Sequence, residues 1–325
     1  MPTIKDVAEK AGVSIATVSR VFNGRGYLSD EVKQKVAGAM EALDYHPNEL
    51  ARSLQKRKSR LIGLIIPSTA HPFFWEIARY VEEAAYEKGY KVLLCNSLRE
   101  SEKEREYIKM LKRSQVDGII MGSHSLDTGD YDNLRLPVVS LDRELSPSVP
   151  YVCCDNWQGG ELAARRLIAQ GCRDLVHISG SLAVPMLSNR RTEAFAAVCK
   201  EAGVSCYCYE LPDQAIVDFD VEAEIRRILA SHPHCDGVFA TSDLTAAAVM
   251  GIAAKTGKKI PEDIKVIGFD RILTGRFLNP PLTTIRQPVR EISRYAVEFL
   301  VRMMDGEKVP SKTVLPVELL ERESS

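Results

Sequence analysis

The chain lacks most of what would mark it as a membrane protein, a metalloprotein or an enzyme. It holds no run of about 18 apolar residues, the length a membrane-spanning helix needs. Its eight cysteines include no C-x-x-C pair, and several sit inside apolar strand-like runs, where cysteine behaves as a small hydrophobe. In a 325-residue chain that pattern fits a reducing compartment better than a disulfide framework. There is no G-x-x-x-x-G-K-[ST] loop, and Ser179-Gly-Ser181 lacks the helix start and lysine of a phosphate cradle. No G-x-S-x-G nucleophile elbow is present. His232-Pro-His234-Cys235 has no second ligand cluster to match it, so no metal is expected. The N-terminus reads as a charged amphipathic helix and not as an export signal, and the expected location is the cytoplasm.

The near-neutral net charge of −1 hides an asymmetry. Residues 1–60 carry 11 Lys/Arg against 7 Asp/Glu, and the remainder 32 against 37. A small basic head on an acidic body suits nucleic acid at one end only.

The head explains itself residue by residue. Thr3 and Asp6 form a T-x-x-D capping pattern that starts a helix at Ile4. Gly12 stands where a tight turn needs positive φ. Ser14 is a good N-cap for a second helix. Val18 and Val21 share an apolar stripe with Val7 and Val13. The opposite face carries Ile15, Ala16, Ser19, Arg20 and Asn23. There, Arg20 can fork onto a guanine edge, and Ile15 and Ala16 can meet thymine methyls. Thr3, Ser14, Ser19 and Asn23 suit phosphate or base-edge contacts. A third helix is expected over 29–43, giving a DNA-reading domain at 1–46.

Residues 47–60 read Pro-Asn-Glu-Leu-Ala-Arg-Ser-Leu-Gln-Lys-Arg-Lys-Ser-Arg. An eight-residue helix at 48–55 is too short to be stable alone in water, but it can order on DNA. With the opening twenty residues, this segment resembles the lactose/purine/ribose repressor family of bacterial transcription regulators. The resemblance implies a hinge helix lying in the minor groove, with Ala51, Arg52, Leu54 and Gln55 at the DNA. Leu54 would wedge into a base step, unstacking it at a cost of a few kcal/mol that is offset by the contacts bending allows.

From Leu61 onward, apolar strand-like runs alternate with amphipathic helical runs, which predicts parallel sheets covered on both faces. The expected strands are 61–66, 91–96, 118–122, 138–142, 176–179, 237–241 and 265–270. Ligands in such folds bind beyond the carboxyl ends of strands. Polar and aromatic residues gather there: His71, Phe73, Phe74, Asn96, Ser123, Asp142, Arg143, Ser242, Asp243, Asp270 and the segment Thr284–Gln287, with Arg191 opening a helix. Rings to cover a sugar face, together with carboxylates, amides and a guanidinium for its hydroxyls, describe a sugar site.

The family resemblance implies a body like the periplasmic sugar-binding proteins, with two lobes joined by three crossovers. It places His71, Phe73, Phe74, Asp142, Arg143, Arg191, Ser242, Asp270 and Gln287 at effector-contacting positions. His71 replaces the asparagine, and Ala194 the glycine, that the family commonly has. Lobe one is expected at about 61–157 and 288–312, and lobe two at about 158–287 and 313–325. Ser140-Leu-Asp-Arg143, Asp155-Asn-Trp-Gln-Gly-Gly160 and Thr283-Thr-Ile-Arg-Gln-Pro288 most resemble the sucrose- and ribose-type regulators.

The expected function is repression of a carbohydrate operon under control of a small sugar. Two protomers would bind one operator, because one head reads only a half-site. The chain carries no leucine-heptad tail for tetramer formation, so a homodimer is expected. No cofactor and no membrane partner are expected. Arg191 and Asp270 suit a nucleobase as well as a sugar, and a phosphoprotein corepressor is a further alternative. A sugar-acting enzyme would leave the head idle, and a transport receptor would need an export signal.

Overall fold

The computed structural model describes residues 2–23, 27–45, 58–123, 125–126, 131, 134, 136–212, 215–216 and 220–325. The chain divides into two compact units, Met1–Ser59 and Arg60–Ser325.

The first unit holds α1 (Ile4–Ala11), α2 (Ile15–Asn23) and α3 (Asp30–Ala42). Thr3 and Asp6 form a reciprocal capping box at the start of α1. Gly12 closes that helix at φ 64°, in the left-handed region where a Cβ is unfavourable. Ser14 Oγ accepts the Thr17 amide at 3.1 Å and opens α2. Val7, Ala8, Ala11, Val18, Val36 and Ala39 form the small core, with Val13 and Val21 packed against it. Ala8 and Ala11 keep the helices close.

The second unit is built on two six-stranded sheets. Its strands are β1 (Leu61–Ile66), β2 (Lys91–Asn96), β3 (Gly118–Met121), β4 (Val138–Leu141), β5 (Tyr151–Cys154) and β6 (Asp174–Ser179). They continue with β7 (Ser205–Glu210), β8 (Gly237–Ala240), β9 (Lys265–Phe269), β10 (Thr283–Arg286), β11 (Lys312–Leu315) and β12 (Glu318–Leu320). Lobe one has the order β11-β5-β4-β3-β1-β2, and lobe two β12-β10-β9-β8-β6-β7. All pairs are parallel except β10 with β12. The helices are α4 (Pro72–Glu87), α5 (Ser101–Arg113), α6 (Asn156–Ala169), α7 (Arg190–Glu201), α8 (Glu222–Ser231), α9 (Asp243–Lys255) and α10 (Val289–Met304). Central strands are buried along their whole length, as parallel strands covered on both faces must be.

The body begins at Arg60, one residue before the first strand. The Arg60 amide donates to Asp117 at 2.9 Å, and its guanidinium lies 5.1 Å from the centre of the Tyr90 ring. The last crossover also differs from expectation. Lys312–Leu315 pairs with β5 in lobe one, so the chain changes lobe between Leu315 and Glu318 and not at 312/313. The expectation misses β5 itself, whose four residues Tyr-Val-Cys-Cys are too short to show a period. It also misses β7, an edge strand whose residues are mostly exposed, and the short strands β10, β11 and β12.

Six of the eight cysteines are buried and all are unpaired. Burial pushes Cys95 up to about 11 and Cys153 to about 12, which keeps these thiols protonated and inert. Among the described residues, no helix is long and apolar enough to cross a membrane, and no group of three or more His, Cys, Asp or Glu is disposed to hold a metal ion.

Helices α6 and α7 cross with their backbones almost touching. A Cβ on Gly160 would lie 2.1 Å from the Arg191 carbonyl oxygen. That oxygen is main chain and cannot rotate away. Gly160→Ala is therefore expected to destabilise the protein by about 1–3 kcal/mol through overpacking, read as a lower midpoint in urea unfolding.

Candidate functional site

Eight of the nine expected effector positions line one cavity of about 200 Å³ between the lobes: His71, Phe73, Phe74, Asp142, Arg191, Ser242, Asp270 and Gln287. Phe73 and Phe74 stand at the start of α4, edge to face at 5.1 Å, placed there by Pro72 in the first turn and by the His71 cap. His71 Nδ1 accepts the Phe73 amide at 3.3 Å. Burial, aided by the nearby Arg99 charge, lowers its pKa to about 4, so the ring is a neutral acceptor.

The centre of the site is a short polar chain. Asn156 Nδ2 donates to Asp142 Oδ1 at 2.8 Å, and Asn156 Oδ1 accepts Arg191 Nε at 2.7 Å. Arg191 Nη1 donates to the Thr241 carbonyl at 3.2 Å, and its guanidinium carbon lies over the Phe269 ring, 3.6 Å from the centroid. Gln287 Nε2 donates to Asp270 Oδ1 at 2.7 Å. Asp142 ends β4 with φ 58°, and Asp270 ends β9 with φ 109°. Left-handed backbone turns each carboxyl off its strand, and such strain gathers at functional sites.

Both carboxyls titrate high. Burial raises Asp142 against the opposing Arg191 charge and hydrogen bonds from Asn156 and Ser188. Burial raises Asp270 to about 7, again against Arg191 and Gln287, with Asp142 and Glu76 adding repulsion. Two buried carboxyls raised in this way in one cleft mark a candidate site for a polar ligand.

Arg143 does not line this cavity. Its side chain runs to the Leu126 carbonyl, which Nη1 meets at 3.0 Å, and Ser140 Oγ holds its own carbonyl at 2.7 Å. The positive φ of Asp142 breaks the strand's alternation, so the next side chain turns away from the cleft. Asp243 is likewise structural: it accepts the Ile272 amide at 2.7 Å and the Thr284 hydroxyl at 2.6 Å. Ser123 joins a buried cluster on Glu104, and Asn96 donates to Thr69. Sequence reasoning missed Arg99 and Asn156. Asn156 follows Asp155, the cap of α6, and had no signal of its own. Arg99 follows β2 in a left-handed bend.

In the head, Ile15, Ala16 and Arg20 are exposed on α2 and Ser19 is half-buried beside them. Ile15 keeps 43% of its surface, unusual for an isoleucine at a helix start. Thr3 is exposed, but its amide and hydroxyl both bond to Asp6. The Ser14 hydroxyl is engaged with Thr17. Asn23 ends α2. Ala51, Arg52, Leu54 and Gln55 lie outside the described residues.

Residues 3–48 match the model for bacterial regulatory proteins of the lacI family, and residues 164–325 that for a periplasmic binding protein-like domain. The chain is 40% identical over 331 residues to a ribose operon repressor of Halalkalibacterium halodurans, spanning 100% of this chain and 97% of the relative. It belongs to the lacI family of bacterial regulatory proteins. As a lacI-family regulator it is also 39% identical to a sucrose operon repressor of Streptococcus mutans, over 99% of this chain and 98% of the relative. A structure of the lac repressor dimer bound to operator and the anti-inducer ONPF superposes with a TM-score of 0.88 at 26% identity, covering 99% of this chain and 98% of that one. This lacI-family chain is a DNA-binding repressor with a two-lobed binding body, and not an enzyme.

Because the folded protein holds Asp270 above the ordinary carboxylate range, it binds more protons there than the unfolded chain does. Its contribution to stability therefore falls as pH rises from about 4 to about 7. Asp270→Asn is expected to flatten that fall and to raise the stability of ligand-free protein at pH 8 by a few kcal/mol, at about 1.4 kcal/mol per pK unit. Urea melts of both proteins across pH 5–8 check this; parallel profiles would contradict it.

Proposed function

We propose that this repressor controls a carbohydrate operon as a cytoplasmic homodimer whose hold on the operator is set by a small sugar in the cleft. The observation that carries this reading is the cavity itself. Two aromatic rings, Phe73 and Phe74, stand beside the carboxyls of Asp142 and Asp270, the guanidinium groups of Arg99 and Arg191 and the amides of Asn189 and Gln287. Rings and forked polar groups at hydrogen-bonding distance suit a polyol. The repressors of ribose and sucrose operons among its relatives support the same class.

In this reading the sugar bonds to Asp142 from lobe one and to Arg191 and Asp270 from lobe two. It draws the lobes together, and lobe one, joined directly to residues 47–60, separates the two hinge segments of the dimer. Effector and operator then oppose each other, and each weakens the other's binding by the same factor. Ala51, Arg52, Leu54 and Gln55 would contact the minor groove, while Ile15, Ala16, Ser19, Arg20 and Asn23 read the major groove, with Thr3 and Ser14 beside the phosphates.

Operator fragments selected from random DNA, titrated with and without added sugar, test the switch. A sugar is expected to weaken binding at least tenfold, and an operator affinity that no sugar changes would favour a nucleobase or a protein corepressor. Arg20→Ala is expected to lose about 1–3 kcal/mol at one base pair per half-site and to relax specificity there. A uniform loss across all sequences would make Arg20 a phosphate contact instead.

A further inference from the structure

The effector cavity does not end at Phe74. A second cavity of about 280 Å³ adjoins it, and Phe74, Arg99, Ser181 and Met186 line both. The first alone, at about 200 Å³, falls below the roughly 300–1,000 Å³ usual for small-molecule sites, and the two together fall inside that range.

The second compartment has its own chemistry. Ser101, Ser123 and Ser125 line one side and Val184 the other. The walls are held in place. On lobe two, Asn189 Nδ2 donates to the Val184 carbonyl at 2.9 Å, and the Leu182 amide donates to Glu210 at 2.9 Å. On lobe one, the fully buried Glu104 accepts the Ser123 hydroxyl at 2.7 Å, the Ser125 amide at 3.0 Å and the Tyr131 hydroxyl. Ser123 donates to Glu104 and lies 2.6 Å from the Ser97 hydroxyl, so this wall is fixed by its own hydrogen bonds. The Arg99 guanidinium, Ser101 and Ser181 give the compartment polar groups for a ligand's hydroxyls.

We propose that the effector is a disaccharide-sized glycoside. One ring sits among Asp142, Arg191 and Asp270, and the second unit lies past Phe74 in the serine compartment, with Arg99 at the junction. This rests on the reading of the cleft as a sugar site and narrows it: a free pentose or hexose fills only the first compartment.

The test is calorimetric titration of the full chain with sucrose, maltose and cellobiose, and with glucose, fructose and ribose. At least one disaccharide is expected to bind tenfold or more tightly than any of the monosaccharides. Val184→Trp fills the second compartment and is expected to weaken the disaccharide at least tenfold while leaving the weaker monosaccharide binding within twofold. Ser101→Leu, at the exposed start of α5, is expected to act in the same direction should the tryptophan disturb folding. A monosaccharide that binds as tightly as any disaccharide, and is untouched by both variants, overturns the proposal but leaves the sugar reading intact. Binding of none of these sugars, with operator binding preserved, overturns both readings together.

Discussion

The Arg191 guanidinium is a buried cation in the cleft, with 7% of the residue exposed. A charge so placed is tolerated only when paired and hydrogen-bonded. Here the pairing is shared. Asn156 relays it to Asp142 across the lobe boundary, Thr241 takes one Nη, the Phe269 face lies beneath, and the Asp270 carboxyl lies within its field. The close α6–α7 crossing at Gly160 fixes the backbone from which Arg191 projects. One cation serving two acids leaves neither fully satisfied, and burial outweighs Arg191 at both. A ligand that brings hydroxyls to Asp142 and Asp270 supplies the partners that the protein alone does not.

The two acids occupy corresponding places in the two lobes. Each follows a buried strand and adopts positive φ, and each is bonded by a carboxamide, Asn156 for Asp142 and Gln287 for Asp270. Sequence logic follows from this: an aspartate tolerates left-handed backbone better than most side chains, and it carries the ligand chemistry itself. The neutral His71 and the paired phenylalanines close the lobe-one side with groups that need no counter-charge.

Much of this was legible in the chain. Strand ends in an alternating α/β pattern are where ligands sit, so position and type gathered His71, Phe73, Phe74, Asp142, Arg191, Ser242, Asp270 and Gln287 together with Asn96, Ser123, Arg143 and Asp243, and the family resemblance removed Asn96, Ser123 and Asp243. Arg143 could not be separated from Asp142, because the turn that divides them is a backbone angle and leaves no mark on residue identity. Asn156 was hidden for a related reason: its amide matters because Asp142 and Arg191 converge on it from residues 14 and 35 positions away. Short strands such as Tyr151–Cys154 show no period, and a strand missed there carries its partner Lys312–Leu315 into the wrong lobe. The head's helix signals were legible because they are local: the capping box, the left-handed glycine and the N-cap serine each act on partners within four residues.

The head's own hydrogen bonds also narrow what can read DNA. Thr3 and Ser14 hold the two helix starts, so any bond they make to DNA competes with a cap worth about 1 kcal/mol. A switch acting on such a head need not be large. Moving a two-state equilibrium from 1:99 to 99:1 takes a differential affinity of about 10⁴, or about 5.5 kcal/mol. Hydrogen bonds to charged groups contribute about 1.5–3 kcal/mol each. Two to four such bonds, made to Asp142, Arg191 and Asp270 only when the lobes approach, are enough. The same sugar bonded equally well to the open and closed lobes would move nothing, which is why the acids and the cation must come from both sides of the cleft.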